Sequence, residues 1–287
     1  KNTAAGALNI VTKPPTEIFE ASLELVAGNY GTIETRGMVN FTLGDSGIAT
    51  RIVAFYASND GFDENTYNGD DINDTDRKGV RSRTLFPTDS FGEFILSLDY
   101  SKNEGDCCAP DFLSNEGDGS ALGLPFSLYE ETTGIPMPEA DPYDRDLYFN
   151  EPYENEVTVG GIATEWNMEL SNELVLTWIN AWRNYQSDST FDGDFSIYES
   201  VHYVTEVDLD QYSSEFRITS PAGTTGPSIT SLKWLISDSI SLYTSALSGK
   251  LQRRSSTLIG PCSAGDCSIS ASCRIMCTDS SISRMRT

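Results

Sequence analysis

The residues that could do chemistry are few, and their spacing does little for it. His202 is the single histidine of the chain. A serine or cysteine nucleophile would have no other imidazole to take its proton, and the partners it would need cannot be located. In Ser200-Val-His-Tyr-Val204 it has the setting of an ordinary strand or loop-edge residue. Neither GxGxxG nor GxxxxGK(S/T) occurs, so no phosphate cradle is expected. Asp70, Asp71, Asn73, Asp74 and Asp76 could offer oxygens to Ca²⁺, but position twelve counted from Asp74 is Leu85, so the EF-hand frame is missing and the run reads as a solvated loop. Cys107 and Cys108 are adjacent and cannot easily pair with each other. Cys262, Cys267, Cys273 and Cys277 could in principle form a four-thiolate zinc site, but their spacing is not that of a ribbon or finger. The expectation is a protein with no catalytic residues, no metal site and no cofactor.

Composition narrows the class. The chain has 287 residues and a formal charge of −24. That charge excludes nucleic acid as a partner, since nothing would neutralise the phosphates. Mean hydropathy is −0.31 and no run of 18 apolar residues exists, which excludes transmembrane helices. A transmembrane β-barrel stays open, because its strands alternate lipid-facing with lumen-facing residues and dilute hydropathy to near-soluble values. The charge is uneven. Residues 1–230 hold 12 Lys+Arg against 40 Asp+Glu, whereas residues 231–287 hold 7 against 3, with 15 Ser and four of the Cys. A shift that abrupt marks a boundary.

Period-2 alternation positions everything else. Thr32–Leu43 puts Ile33, Thr35, Gly37, Val39, Phe41 and Leu43 on one face and Glu34, Arg36, Met38, Asn40 and Thr42 on the other. Phe19–Ala27 alternates likewise, and Gly28-Asn29-Tyr30-Gly31 joins the two as a tight hairpin. Strands are expected at Ile48–Ser58, Val80–Phe86, Glu93–Tyr100, Glu156–Met168 and Leu174–Tyr185, then over His202–Val207 and Tyr212–Ser220. The faces of Leu174–Tyr185 stay ambiguous, because Leu174, Leu176, Trp178 and Trp182 compete with Val175, Ile179 and Ala181. Short turns at 44–47, 87–90 and 169–173 alternate with polar loops at 59–78, 101–155 and 186–199. About eight strands with short and long connections on alternate ends point to an outer-membrane barrel. A soluble β-sandwich, or a surface β-rich binding module without transport activity, is the competing class.

Local signatures in order carry a resemblance. Lys1-Asn-Thr-Ala-Ala-Gly-Ala-Leu-Asn-Ile-Val-Thr-Lys-Pro14 resembles the end of the plug domain in TonB-dependent outer-membrane receptors. Phe19-Glu20 with Gly28-Asn29-Tyr30-Gly31 is similar to that family's first barrel hairpin. Val39-Asn40-Phe41 and Arg51 resemble the next two strands. Asp60-Gly61-Phe62, Asn65 and Gly69-Asp70-Asp71-Ile72-Asn73 with Asp76 resemble its first extracellular loop, and Arg81 and Arg83 the return strand. Asp99-Tyr100-Ser101 followed by Cys107-Cys108, then Thr177–Tyr185 and Gln211–Pro221, complete the series over about residues 1–222.

The resemblance implies an all-β fold: a transmembrane antiparallel β-barrel fragment of about eight strands with long extracellular loops. It implies residues 1–14 as plug end, 15–222 as the start of the barrel and 223–287 as an anomalous Ser/Cys-rich tail, read as out of frame from about 222–235. A real zinc module is the alternative for that tail, which is expected to lack a stable fold except for a short helix or strand at Trp234–Leu247. The signal peptide, the TonB-contacting box and most of the plug would precede Lys1. The implied function is outer-membrane active transport in a Gram-negative bacterium, with a ferric siderophore as ligand; cobalamin, haem or an oligosaccharide are alternatives. The implied partners are the TonB-ExbB-ExbD complex and outer-membrane lipid. Loops 59–78, 101–155 and 186–199 are the ligand-binding candidates. A disulfide involving Cys107 or Cys108 is conceivable there.

Overall fold

Valine, isoleucine, threonine and aromatic residues at alternate positions favour a pleated surface, and among the described residues the regular elements are strands. A computed structural model describes residues 11–88, 92–106, 108–109, 131, 134, 141, 143–170, 173–193, 197 and 202–219, together with the backbone of 229–245 and 250–259. In chain order the strands are β1 (Glu20–Ala27), β2 (Ile33–Thr42), β3 (Ala49–Asn59), β4 (Asp63–Asn65), β5 (Asp70–Ile72), β6 (Thr75–Thr88) and β7 (Gly92–Gly105). They continue with β8 (Asp146–Leu147), β9 (Asn155–Glu169), β10 (Val175–Asp192), β11 (His202–Thr219), β12 (Ile229–Ser245) and β13 (Lys250–Ile259).

Ten of these form one antiparallel sheet in the order β1-β2-β3-β6-β7-β9-β10-β11-β12-β13, so each strand pairs with its neighbours in sequence. The small strands β5-β4-β8 make a separate sheet within the loops. Connections at 43–48 and 88–92 lie on one rim, and the segments 60–74 and 106–154 on the other. The first hairpin closes through Gly28 N to Thr32 O at 2.9 Å, with Tyr30 and Gly31 at φ 55° and 61°. Gly31 is required there, since a Cβ would lie 1.9 Å from an Asp60 carboxylate oxygen.

The register fixes the faces, because directly paired residues share one. Leu23, Leu25, Ile33, Leu98, Ile162, Tyr212 and Phe216 lie on one face of the sheet, all solvent-exposed. Glu34, Arg36, Glu93 and Asp99 lie on the opposite face, as the alternation predicts. Among the described residues only six hydrophobics are buried, and four of them belong to the loops. A sandwich would bury one face of each sheet against the other; here the apolar face is open.

Two rows bound that apolar face. Phe86, Phe94, Trp166, Trp178 and Phe216 are mutual register partners across five strands, with Phe86–Phe94 centroids 5.8 Å apart and Trp178 stacked on Phe216 at 5.2 Å. Ten positions along each strand stands the second row: Asp76, Glu104, Glu156, Asp188 and Glu206. Ten residues at about 3.4 Å each make about 34 Å of strand. A tilt of about 40° reduces this to roughly 26 Å, the height of the lipid-facing band of a barrel, which aromatic girdles flank. Lys78 and Lys102 ion-pair with the acidic row (Lys78–Glu104 3.2 Å, Lys102–Glu156 3.0 Å), offsetting the repulsion of like charges directly opposed.

Several sequence expectations are corrected. The loops at 59–78, 101–155 and 186–199 are shorter than their composition suggests: β6 begins at Thr75, β7 runs to Gly105 and β10 runs to Asp192. Polar strand tips pair as well as apolar ones, because the ladder uses backbone groups only. His202–Val207 and Tyr212–Ser220 are parts of one continuous β11. In the tail, the strand allowed at Trp234–Leu247 is present as Ile229–Ser245, and Lys250–Ile259, expected to lack a fold, pairs with it through the backbone; residues 246–249 and 260–287 lie outside the described residues. Strand alternation there (Leu232, Trp234, Ile236 and again Ile240, Leu242) outweighs the serine content. Residues 1–10, which hold most of the plug-like segment, and the cysteines at 107, 262, 267, 273 and 277 lie outside the described residues.

Leu98 lies at mid-height on the apolar face and Ser97 on the other. Leu98→Arg is expected to destabilise the chain refolded in lipid vesicles by about 2–4 kcal/mol. Ser97→Arg is expected to cost less than half of that, as read by denaturant titration.

Candidate ligand-binding surface

The loop rim is knitted by residues far apart in sequence. Ile72, Leu147, Phe149 and Tyr153 form a small core with Ala109 packed against it. Asn65, fully buried, donates from Nδ2 to the Phe149 carbonyl at 3.0 Å, and its Oδ1 accepts from Tyr67 N at 3.2 Å. An asparagine suits this position because one amide both donates and accepts, so the buried strand ends stay satisfied. Thr66 N and Oγ1 both donate to the Leu147 carbonyl, and Glu64 N donates to Arg145 O. Arg145 in turn donates to the Tyr30 hydroxyl and lies over its ring, bringing in the first hairpin.

The end of β10 joins the same knot. Tyr153 donates its hydroxyl to the Asp192 carbonyl at 3.0 Å, and Thr190 N donates to Glu154 O at 2.8 Å. His202 Nδ1 lies 3.0 Å from a Glu151 oxygen. Cys108 is disulfide-bonded; its partner cysteine lies outside the described residues. The loop candidates 59–78 and 101–155 therefore meet, and the described part of 186–199 touches them through β10. The acids considered for Ca²⁺ are dispersed. Asp74 accepts from Asp106 N, Asp76 accepts from the Tyr56 hydroxyl and from Lys78, and Asn73 donates to Asp63.

A second candidate lies on the charged face of the sheet, where the segment before β1 crosses it. Asn40, fully buried, donates to the Thr16 and Ile18 carbonyls at 2.7 Å each and accepts from Thr16 N. Arg51 ion-pairs with Glu20, and Arg83 donates to the Thr12 carbonyl and hydroxyl at 3.3 Å. Beside this staple opens a cavity of about 520 Å³ lined by Lys13, Arg51, Arg81, Arg83 and Arg183, with Asp99, Val53 and Phe55. No sequence argument brought these cations together, because they come from three strands and the segment before β1, and their shared face needs the register. Arg81 and Arg83 had drawn notice only as part of a strand signature.

Three solved structures share this fold. The chain aligns with FyuA, the ferric yersiniabactin uptake receptor of Yersinia pestis, at TM-score 0.62 and 13% identity, covering 84% of this chain and 34% of that one. With FpvA, the pyoverdine outer-membrane receptor of Pseudomonas aeruginosa solved with pyoverdine bound, the TM-score is 0.59 at 16% identity, with the same shares covered. With PiuA, a siderophore receptor of Acinetobacter baumannii, it is 0.54 at 13% identity, covering 81% and 32%. The chain thus spans about a third of each receptor. No protein-family profile and no curated protein matches it. The fold is that of a fragment of a TonB-dependent siderophore-receptor barrel.

Asp106, at the top of β7, tests the loop knot. Burial, with Asp74, Glu154 and Asp70 nearby, pushes its carboxyl above the usual aspartate range. A folded-state pKa raised above the unfolded one means that the folded state binds the proton more tightly. Its ionised form therefore opposes folding at neutral pH, and this penalty fades as pH falls through the raised value. Asp106→Asn is expected to increase amide-exchange protection of Asp63–Ile72 at pH 7, with the gain over wild type shrinking toward pH 4.

Proposed function

We propose that this chain is the start of the barrel of an outer-membrane active-transport receptor in a Gram-negative bacterium. In that reading residues 1–14 end a plug domain and 15–222 begin the barrel wall. The observation that carries it is the apolar face about 26 Å high between an aromatic and an acidic row. A soluble binding module has no use for an unburied face of that height.

The ligand in this reading is a ferric siderophore or a comparably large, scarce nutrient. Support comes from the knitted loop rim and from the three solved structures of the same fold, receptors for ferric yersiniabactin, for pyoverdine and for a siderophore. The loops would capture the ligand outside the cell, and the TonB-ExbB-ExbD complex would supply inner-membrane energy through a coupling segment. A tied rim loses little further entropy on binding, so more of the contact energy appears as affinity. The chain's role is transport and not catalysis.

The test is disruption of the gene in its native host. Growth under iron limitation on a panel of ferric siderophores is expected to fail for one or a few of them, and an intact copy restores it only when TonB is present. Undiminished uptake of every siderophore tested would contradict the reading. The 287-residue chain supplied alone is expected to restore no uptake.

A further inference from the structure

The charges on the lumen-type face are distributed unevenly. Asp99 stands directly opposite Arg81 in the β6–β7 register, the natural position for a cross-strand ion pair. Yet Asp99 turns away: both its oxygens lie 3.0 Å from Nη2 of Arg183, two strands distant. The route passes over Gly161, the register partner of both Asp99 and Arg183. A Cβ at Gly161 would lie 2.9 Å from the Trp182 carbonyl, too close for the paired backbone, while the Arg183 guanidinium would sit at ordinary contact distance, 3.6 Å. Arg81 is left, among the described residues, without a hydrogen-bond or ion-pair partner.

The column beside it is also short of negative charge. Arg51 and Arg83 are direct register partners, two like charges opposed about 5 Å apart across the ladder. Glu20 neutralises Arg51, but Arg83 finds only the neutral oxygens of Thr12. Arg51 is 9% exposed, and its Nε, like that of Arg83, is buried with no acceptor. Arg81 follows two residues along the same face, about 7 Å further. In a protein of charge −24, the cavity lining carries five cations against the single Asp99.

We propose that this cavity is a binding site for a small polycarboxylate anion, with Arg81 supplying the free guanidinium and Arg83 the second positive charge. A guanidinium meets carboxylates in a planar, two-pronged geometry that lysine lacks. Two arginines rooted about 7 Å apart on one face of a strand suit an anion with carboxylates on neighbouring carbons, and a cavity of about 520 Å³ admits a small metal chelate. Val53 and Phe55 give its carbon frame an apolar floor. The site's role in transit, as a stopping place for anionic cargo on the barrel wall, rests on the receptor reading above.

The experiment is calorimetric titration of citrate into the full chain refolded in detergent, at pH 7.5 and 0.1 M NaCl, with acetate as the monovalent control. Citrate is expected to bind while acetate does not. Arg81→Gln should weaken binding at least tenfold. Asp99→Asn should strengthen it several-fold, because one negative charge is lost and Arg183 is released; a variant that merely misfolds would not bind more tightly. No citrate binding beyond that of acetate, or equal affinity in wild type and Arg81→Gln, overturns the proposal. Such a result leaves the uptake experiment untouched, so the two readings fail separately.

Discussion

Backbone amides and carbonyls need partners, and hydrocarbon supplies none; each group left bare there costs several kcal/mol. In the membrane setting proposed above, that constraint accounts for the design of the sheet. In the ten-stranded sheet each strand pairs antiparallel with the next, so its ladders are completed between strands that follow one another in the chain. It also explains why the irregular backbone gathers at one rim. There Asn65, Thr66 and Tyr153 satisfy it from side chains, beyond the reach of lipid. Among the described residues, β1 and β13 are the outer strands of the sheet, and it is at their outer edges that the constraint bears hardest.

Once pairing is fixed, period 2 divides the residues between two solvents. The apolar face needs only surface, so its residues vary freely in type: Leu98, Ile162, Trp182 and Tyr212 occupy one row. The charged face has to balance itself. It does so unevenly, giving Glu20 to Arg51 and Asp99 to Arg183, and holding the segment before β1 through Asn40 and Arg83. Gly161 stands between Asp99 and Arg183, the register partner of both. The fold thus creates a locally cationic wall inside an acidic protein, with no cluster visible in the linear sequence.

Much of the sheet was legible from alternation alone. β2 and β7 read cleanly because one face is charged and the other is not. β10 did not, since both faces carry apolar side chains; its outward set, Leu176, Trp178 and Trp182, becomes clear only from partners such as Phe216 and Tyr212 on β11. Strand tips were missed because Ser187 and Asp188 look like loop residues while their backbone pairs as well as any. The loop knot had no local signal, as Asn65 and Phe149 stand 84 residues apart. In the tail, the strand at Trp234–Leu247 was legible from its apolar residues, whereas Lys250–Ile259, polar over much of its length, was not. The ligand candidates could be placed on loops, whereas the arginine cavity required the register of five adjacent strands, β3 to β10.

The central claim is that alternate residues of one strand meet lipid and water. It is tested most directly by spin labels placed singly at positions 94 to 101 of β7, with native cysteines replaced, in vesicles. Collision rates with oxygen and with a water-soluble nickel chelate are then compared. The account predicts opposite period-2 oscillations, with oxygen favoured at 94, 96, 98 and 100 and the chelate at 95, 97, 99 and 101. Uniform access to the chelate along the strand, or oxygen maxima at the odd positions, would contradict it.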